Sequence, residues 1–398
     1  MGSRAIDSAT LAIAAGGTGG HVFPGLSVAR AWLLRHPGST VVFFGTKKDA
    51  RYLEGQDHRV RFVAVDLNGV TGRGARGIGE FLLKGPRAVW SMVHELSQTK
   101  ACAVVCFGGF VSFPVGIAAR ILRIPLFLHE ANAFPGVVNR ILRPLAKHLF
   151  VSHNELFERW GHRSLLVGIP VRAGIEDAKG FEDATLGSRP VHILVIGGSQ
   201  GAYNMNRIVL EGLDRLFSEL DAEIILQWGK WPTSGVESYL ERFKGRLLVL
   251  PFIEDMVWMY RWADIIVSRS GASTLAELAF VEKPAILVPF PYATHNHQLL
   301  NAKAAERAGA AWVLEEKRLN ADGLVESLVA LASDSDLKAS MGLAWKGLAH
   351  SKAAEKMIET IEACIKGVPF NVPAKPYVVL PGDRRNRDER HCRASMEP

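Results

Sequence analysis

The stretch Ala14-Ala15-Gly16-Gly17-Thr18-Gly19-Gly20-His21 constrains this chain more than any other. It follows a short apolar run, Leu11 to Ala15, and precedes an amphipathic pattern, Val28 to Leu34, so it reads as a strand, a glycine turn and a helix start. Glycine takes φ > 0 at little cost and lets the backbone approach a ligand closely. The free N–H groups of a helix start favour an anion or a polarised hydroxyl. His21 closes the turn with an imidazole that can carry a proton near neutral pH. The device returns as Ile196-Gly197-Gly198-Ser199-Gln200-Gly201-Ala202. Two glycine turns, each after a strand, predict two similar domains facing a shared cleft.

The 398 residues exceed one ordinary core, which also predicts two domains. A formal charge of +7 suits anionic partners: nucleotides, phospholipid surfaces or nucleic acid. Nucleic acid is set aside, because no aromatic-basic RNA motif, recognition helix or zinc-finger signature occurs. The four cysteines, Cys102, Cys106, Cys364 and Cys392, form neither a metal-ligand nor a disulfide framework, and Cys102 and Cys106 read as small buried side chains of one strand. A reducing cytoplasm fits. No apolar run reaches transmembrane length, and the N-terminus lacks a signal-peptide core.

In order, strands are expected at 40–44, 62–67, 103–107, 125–128, 149–152 and 165–167, then at 192–196, 223–227, 247–250, 264–267 and 285–288. Helices then run to about Lys366. This alternation demands parallel sheets with helices on both faces. The first domain is expected over 1–173, a linker over 174–190, the second domain over 191–366 and an extended tail over 367–398. Asn68 to Gly79 reads as a mobile loop, and Pro86 as a kink or restart in the helix after it. That helix carries Ile78, Phe81, Leu82 and Trp90 interleaved with Lys84 and Arg87. Two readings are open: a core helix with solvated cations, or apolar residues dipping into a bilayer beside anionic head groups, with Arg140, Arg143 and Lys147 extending the basic rim.

A dinucleotide fingerprint fails. It needs Gly-x-Gly-x-x-Gly and an acid at the end of the second strand, and neither glycine turn supplies both. No P-loop occurs. A third turn, Gly108-Gly109-Phe110-Val111-Ser112, and the polar His129-Glu130-Ala131-Asn132 follow strands, where ligands sit in open α/β sheets. In Ser268 to Glu277, the hydroxyls of Ser270, Ser273 and Thr274 suit a diphosphate at a helix start, Arg269 adds charge, and Glu277 on the first turn could take ribose hydroxyls. The same Thr274-Leu275-Ala276-Glu277 also reads as a capping box. Arg172 could reach a phosphate. His295 and His297 alternate like metal ligands but lack an acidic or cysteine partner, so a loop suits them better and no metal is expected.

Gly16 to Leu26, Gly108 to Ser112, His129-Glu130-x-Asn132, Gly197 to Ala202, Arg269-Ser270-Gly271-Ala272 and His297-Gln298-x-x-Asn301-Ala302, in that order over about residues 10–365, resemble the MurG family. These are bacterial transferases that add N-acetylglucosamine to lipid I. Ala131 and Ile169 depart from the family pattern, which has Gln and Asn there. The resemblance implies an α/β fold of the GT-B type, two Rossmann-like parallel-sheet domains with an intervening cleft, and a last helix that packs back on the N-terminal domain. It implies a UDP-GlcNAc donor held by Ser199, Gln200, Gly201, Ile253 (through its backbone), Ala272, Ser273, Thr274, Leu275, Ala276, Glu277 and Gln298, with Arg172 near the phosphates. Thr18, Gly19, Gly20 and Asn132 would meet the sugar or the acceptor. It favours the membrane reading of Ile78, Phe81, Leu82, Lys84, Arg87 and Trp90, on the cytoplasmic face of the plasma membrane, with other cell-wall synthesis proteins as further partners and no cofactor.

The implied chemistry is attack of the muramyl 4-hydroxyl on the anomeric carbon, with inversion and loss of UDP. His21 is the candidate base and Glu130 the reserve. Rival readings are another GT-B enzyme on a UDP-sugar, such as a UDP-GlcNAc 2-epimerase, and a non-catalytic membrane-associated UDP-GlcNAc sensor.

Overall fold

The structure, a computed structural model, describes residues 8–67, 74–178, 189–198, 201–293 and 296–368, and of residues 74–83 the backbone alone. The first sheet holds β1 (Thr10–Ala14), β2 (Thr40–Gly45), β3 (Val60–Ala64), β4 (Ala101–Cys106), β5 (Leu126–Glu130), β6 (His148–Val151) and β7 (Ser164–Leu166), in the order β3-β2-β1-β4-β5-β6-β7. The second holds β8 (Val191–Ile196), β9 (Ala222–Gln227), β10 (Leu247–Leu250), β11 (Ile265–Ser268), β12 (Ala285–Leu287) and β13 (Ala311–Val313), in the order β10-β9-β8-β11-β12-β13. Every pairing in both is parallel.

Alternate side chains of the first sheet feed two layers, as the two-residue period of a strand requires. Ala12, Ala14, Phe44, Val104 and Leu128 pack on Ala88, Met92 and Leu96 of the helix Gly74–Thr99 and on Val115 and Ala118 of the helix Ser112–Ile121. Leu11, Ile13, Phe43, Val105 and Phe127 pack on Val28 and Trp32 of the helix Gly19–Arg35. Met357, Ile358 and Ile361 of the last helix, Ala353–Lys366, join that second layer. The far end of the chain thus completes the core of the first sheet, and the Glu362 carboxylate there accepts bonds from Arg35 and lies 3.0 Å from His36 Nε2.

Strand order reverses between β1 and β4, and again between β8 and β11. Ligands of open α/β sheets sit at such switch points, beyond the carboxyl ends of the strands. The glycine turns after β1 and β4 therefore lie side by side.

Several expectations need correction. The strand β13 interrupts the segment read as all helix. The helix Gly74–Thr99 takes in residues 74–79, read as loop, and runs through Pro86 unbroken. Pro86 is exposed, so water can meet the carbonyl that it leaves unbonded. Within the segment expected as linker, Ile175 is buried beside Val171. The tail beyond Val368 lies outside the described residues.

Candidate active site

The first glycine turn is held by a side chain from the short 3-10 helix Lys47–Tyr52 that follows β2. One carboxylate oxygen of Asp49, Oδ2, accepts the Gly17 N–H at 2.9 Å, the Thr46 N–H at 2.8 Å and the Thr46 hydroxyl at 2.6 Å. A Cβ at Gly16 would meet Asp49 Oδ2 and Val111 at 2.9 Å, so only glycine fits there. Thr18 then caps the helix Gly19–Arg35 through its carbonyl, which accepts the N–H groups of His21 and Val22.

The third glycine turn covers His21. Gly108 and Gly109 have φ of 88° and 70°, and a Cβ on either would lie 3.5 or 3.4 Å from a His21 ring nitrogen. Thr18 Oγ1 lies 3.3 Å from His21 Nδ1. Burial lowers the imidazole pKa, against the opposing pull of the Glu130 charge, the Gly16 backbone and Asp49, so the ring is neutral and able to accept a proton.

Glu130, the reserve base, has another use. Its carboxylate is 4% exposed and accepts the Asn132 N–H, the Asn132 side-chain amide, the Gly136 N–H and the Asn139 amide at 2.9–3.2 Å. With four donors on two oxygens it anchors the loop 131–136. His129 donates from Nε2 to the Gly168 carbonyl at 2.9 Å, and burial pushes its pKa down to about 4.

From the second domain the helix Ala272–Val281 points its N-terminus at the first domain, with Gly271 ahead of it and no side-chain cap. The Ser273 hydroxyl donates to the Gly20 carbonyl at 3.0 Å. Pro24, inside the facing helix, has no N–H to offer that carbonyl, which is why it is open to a partner. The predicted capping box is absent: Gly271 is the cap, and Glu277 sits on the second turn, 6% exposed. Glu277 accepts the Tyr260 hydroxyl at 2.9 Å and lies 3.3 Å from Arg172 Nε. Burial first, then the Glu277 charge, raises the Tyr260 pKa. The Arg172 guanidinium also stacks 3.8 Å from the centre of the Phe23 ring, so it bridges both domains.

Gln298 accepts the Phe290 N–H through Oε1 and, through its carbonyl, the Ser270 hydroxyl. Arg269 is turned away from the cleft, against expectation. It is buried, paired with Glu316, and donates to the Val288 and Pro289 carbonyls. The Ile253 side chain is core, which leaves its backbone for a ligand. In the second glycine turn a Cβ at Gly201 would strike the Trp228 carbonyl at 2.5 Å, and Ser199 and Gln200 lie outside the described residues. His295 does too, and among the described residues no cluster of three or more His, Cys, Asp or Glu could hold a metal ion.

Three residues that hold the site were not among the sequence candidates: Asp49, Asn139 and Tyr260. Asp49 did have a local signal, since Thr46-x-x-Asp49 forms a capping box. On the outer face, Trp90 is 73% exposed, and Lys84 and Arg87 are exposed beside it. The side chains of Ile78, Phe81 and Leu82 lie outside the described residues. No helix among the described residues is long and apolar enough to cross a membrane.

Two parallel-sheet domains, a neutral histidine under glycine turns and a free helix N-terminus across the cleft define a nucleotide-sugar glycosyltransferase of the GT-B class. Residues 11–151 match the glycosyltransferase family 28 N-terminal domain and residues 192–357 its C-terminal domain. The chain belongs to that family and, within it, to the MurG group. A relative from Lawsonia intracellularis is 36% identical over 84% of this chain and 92% of its own length. It is named UDP-N-acetylglucosamine–N-acetylmuramyl-(pentapeptide) pyrophosphoryl-undecaprenol N-acetylglucosamine transferase. The crystal structure of MurG from Acinetobacter baumannii is similar, with a TM-score of 0.67 and 30% identity, over 89% of this chain and 99% of that one. A putative UDP-N-acetylglucosamine 2-epimerase from Listeria monocytogenes shares the fold at 14% identity, with a TM-score of 0.65 over 94% of this chain and all of that one.

Proposed function

We propose that this protein transfers N-acetylglucosamine from UDP-GlcNAc to the 4-hydroxyl of the muramyl sugar of lipid I, giving lipid II and UDP. The observation that carries the mechanism is the meeting of His21, Gly20 and Ser273 at one point of the cleft. Neutral His21 takes the proton of the attacking hydroxyl, and the anomeric carbon inverts as the UDP bond breaks. Charge develops on the departing diphosphate. The N–H groups of Ala272 to Thr274 and the Arg172 guanidinium meet it.

The donor's uracil lies on the Ile253 backbone and its ribose on Glu277. Arg172 Nε also lies 3.3 Å from that carboxylate. The ribose hydroxyls replace it there and release the guanidinium toward the phosphates. Gln298 and the turn Ser199 to Gly201 complete the donor side. Thr18, Gly19, Gly20 and Asn132 face the two sugars.

The lipid leaves over the outer face of the first domain, where the exposed side chains of Trp90, Ile121, Val137 and Ile141 share three neighbouring helices with Lys84, Arg87 and Arg140. That face suits an anionic membrane surface, on the cytoplasmic side where UDP-GlcNAc is found, and further cell-wall synthesis proteins are its natural neighbours. The test is transfer of labelled N-acetylglucosamine to a lipid I analogue. Labelled lipid and free UDP are expected. Donor consumption that yields an epimer and no labelled lipid would replace this reading with epimerase chemistry.

A further inference from the structure

A cavity of about 740 Å³ opens behind the N-terminus of the helix Ala272–Val281. Its two walls belong to different domains. One is apolar: Leu275, Ala276 and Phe280 of that helix, Ala304 and Ala305 of the helix His297–Arg307, and Leu343. The other is polar and comes from the end of β6, with Ser152, His153 and Asn154. Among the described residues, neither the Ser152 hydroxyl nor Asn154 Oδ1 has a hydrogen-bond partner. Polar side chains facing an apolar wall suit a ligand that combines main-chain donors and acceptors with small apolar side chains. The rim carries Glu155 and Glu158 on one side and Arg307 on the other, and the volume lies in the usual range for a small-ligand site.

We infer that this cavity receives the peptide of the acceptor. The inference rests on the transferase reading. A muramyl peptide hangs from the lactyl group on the carbon next to the attacking hydroxyl, so it must leave the reaction centre sideways while the lipid diphosphate leaves from the anomeric carbon. Ala272 is a wall of the cavity, and its neighbour Ser273 touches Gly20, one residue from His21. The cavity therefore adjoins the helix N-terminus that meets the reaction centre. Small apolar side chains fit the alanine and leucine wall, the peptide backbone meets Ser152 and Asn154, and its free amine and carboxylate find opposite charges at the rim.

The test compares two short-chain lipid I analogues, one with the pentapeptide and one ending at the lactyl carboxylate. Ala304→Phe fills the cavity and Ser152→Ala removes a polar partner. Each is expected to raise KM for the pentapeptide acceptor about tenfold, with KM for the peptide-free acceptor and for UDP-GlcNAc unchanged. Equal effects on both acceptors, or none, would overturn the inference, as would wild-type enzyme that uses both acceptors with the same kcat/KM. UDP binding by calorimetry shows that each variant is folded. Failure of wild type to transfer to either acceptor counts instead against the transferase reading.

Discussion

The Ser273 hydroxyl reaches 3.0 Å across the cleft to the Gly20 carbonyl, and Pro24, four residues along the helix, is what leaves that carbonyl open. Two domains are thus joined at the reaction centre by a hydrogen bond that depends on a missing one. Pro24→Ala restores an N–H that competes for the carbonyl. Its kcat/KM should fall about fivefold, the value of a hydrogen bond of about 1 kcal/mol. Its Tm should hold or rise, because a helix-interior proline costs about 3 kcal/mol. Ser273→Ala should give a similar loss, and the double variant no more than either single one. Additive losses in a double-mutant cycle would show that the two residues act separately.

His21→Ala should lower kcat roughly a hundredfold or more while UDP binding, read by calorimetry, stays intact. Burial holds the imidazole below its ordinary value of 6.5, and the base works only when unprotonated. The acid limb of the wild-type kcat profile should therefore lie below pH 6.5 and vanish in the variant. A limb above pH 6.5 would assign proton transfer to another group.

His129 makes a stability prediction with a definite sign. Its folded pKa is about 4 against 6.5 in the open chain, so between those values the unfolded state binds the extra proton. Stability from this residue is full above pH 6.5 and is lost as pH falls toward 4, by roughly 3 kcal/mol. His129→Gln keeps a donor for the Gly168 carbonyl and removes the titration. Urea unfolding at a series of pH values should show wild type losing that much more than the variant. Parallel curves would refute it.

Arg87→Glu combined with Trp90→Ser should weaken flotation with anionic vesicles at least tenfold, with Tm and the donor KM at wild-type values. Flotation that survives both changes would move the membrane contact to another face.

The fold was legible because glycine turns and apolar runs alternate along the chain, and parallel sheets are the packing that such alternation allows. Its failures have local causes. β13, Ala311–Val313, is three residues among alanine-rich helices and has no periodicity of its own. Thr274 to Glu277 spells a capping box, yet the cap is Gly271, three residues earlier, and the helix begins at Ala272, while Thr46 and Asp49 form a real one. Arg269 follows a strand like a ligand-binding cation, but Glu316, 47 positions on, claims it. Asn139 holds Glu130 and the His129 carbonyl from a separate helix, a relation no local spacing could reveal. Arg269 and Asn139 were misjudged or missed because the fold, not the local sequence, brings their partners.

The last helix, Ala353–Lys366, supplies Met357, Ile358 and Ile361 to the core that begins with Leu11 and Ile13. During synthesis, then, the domain made first is the last to be finished. Its sheet leaves the ribosome early but keeps part of one apolar face open until the whole second domain has followed. Loss of the fourteen residues of that helix would strike the N-terminal half of the molecule, and an isolated fragment ending near residue 173 would lack part of a wall of its own core.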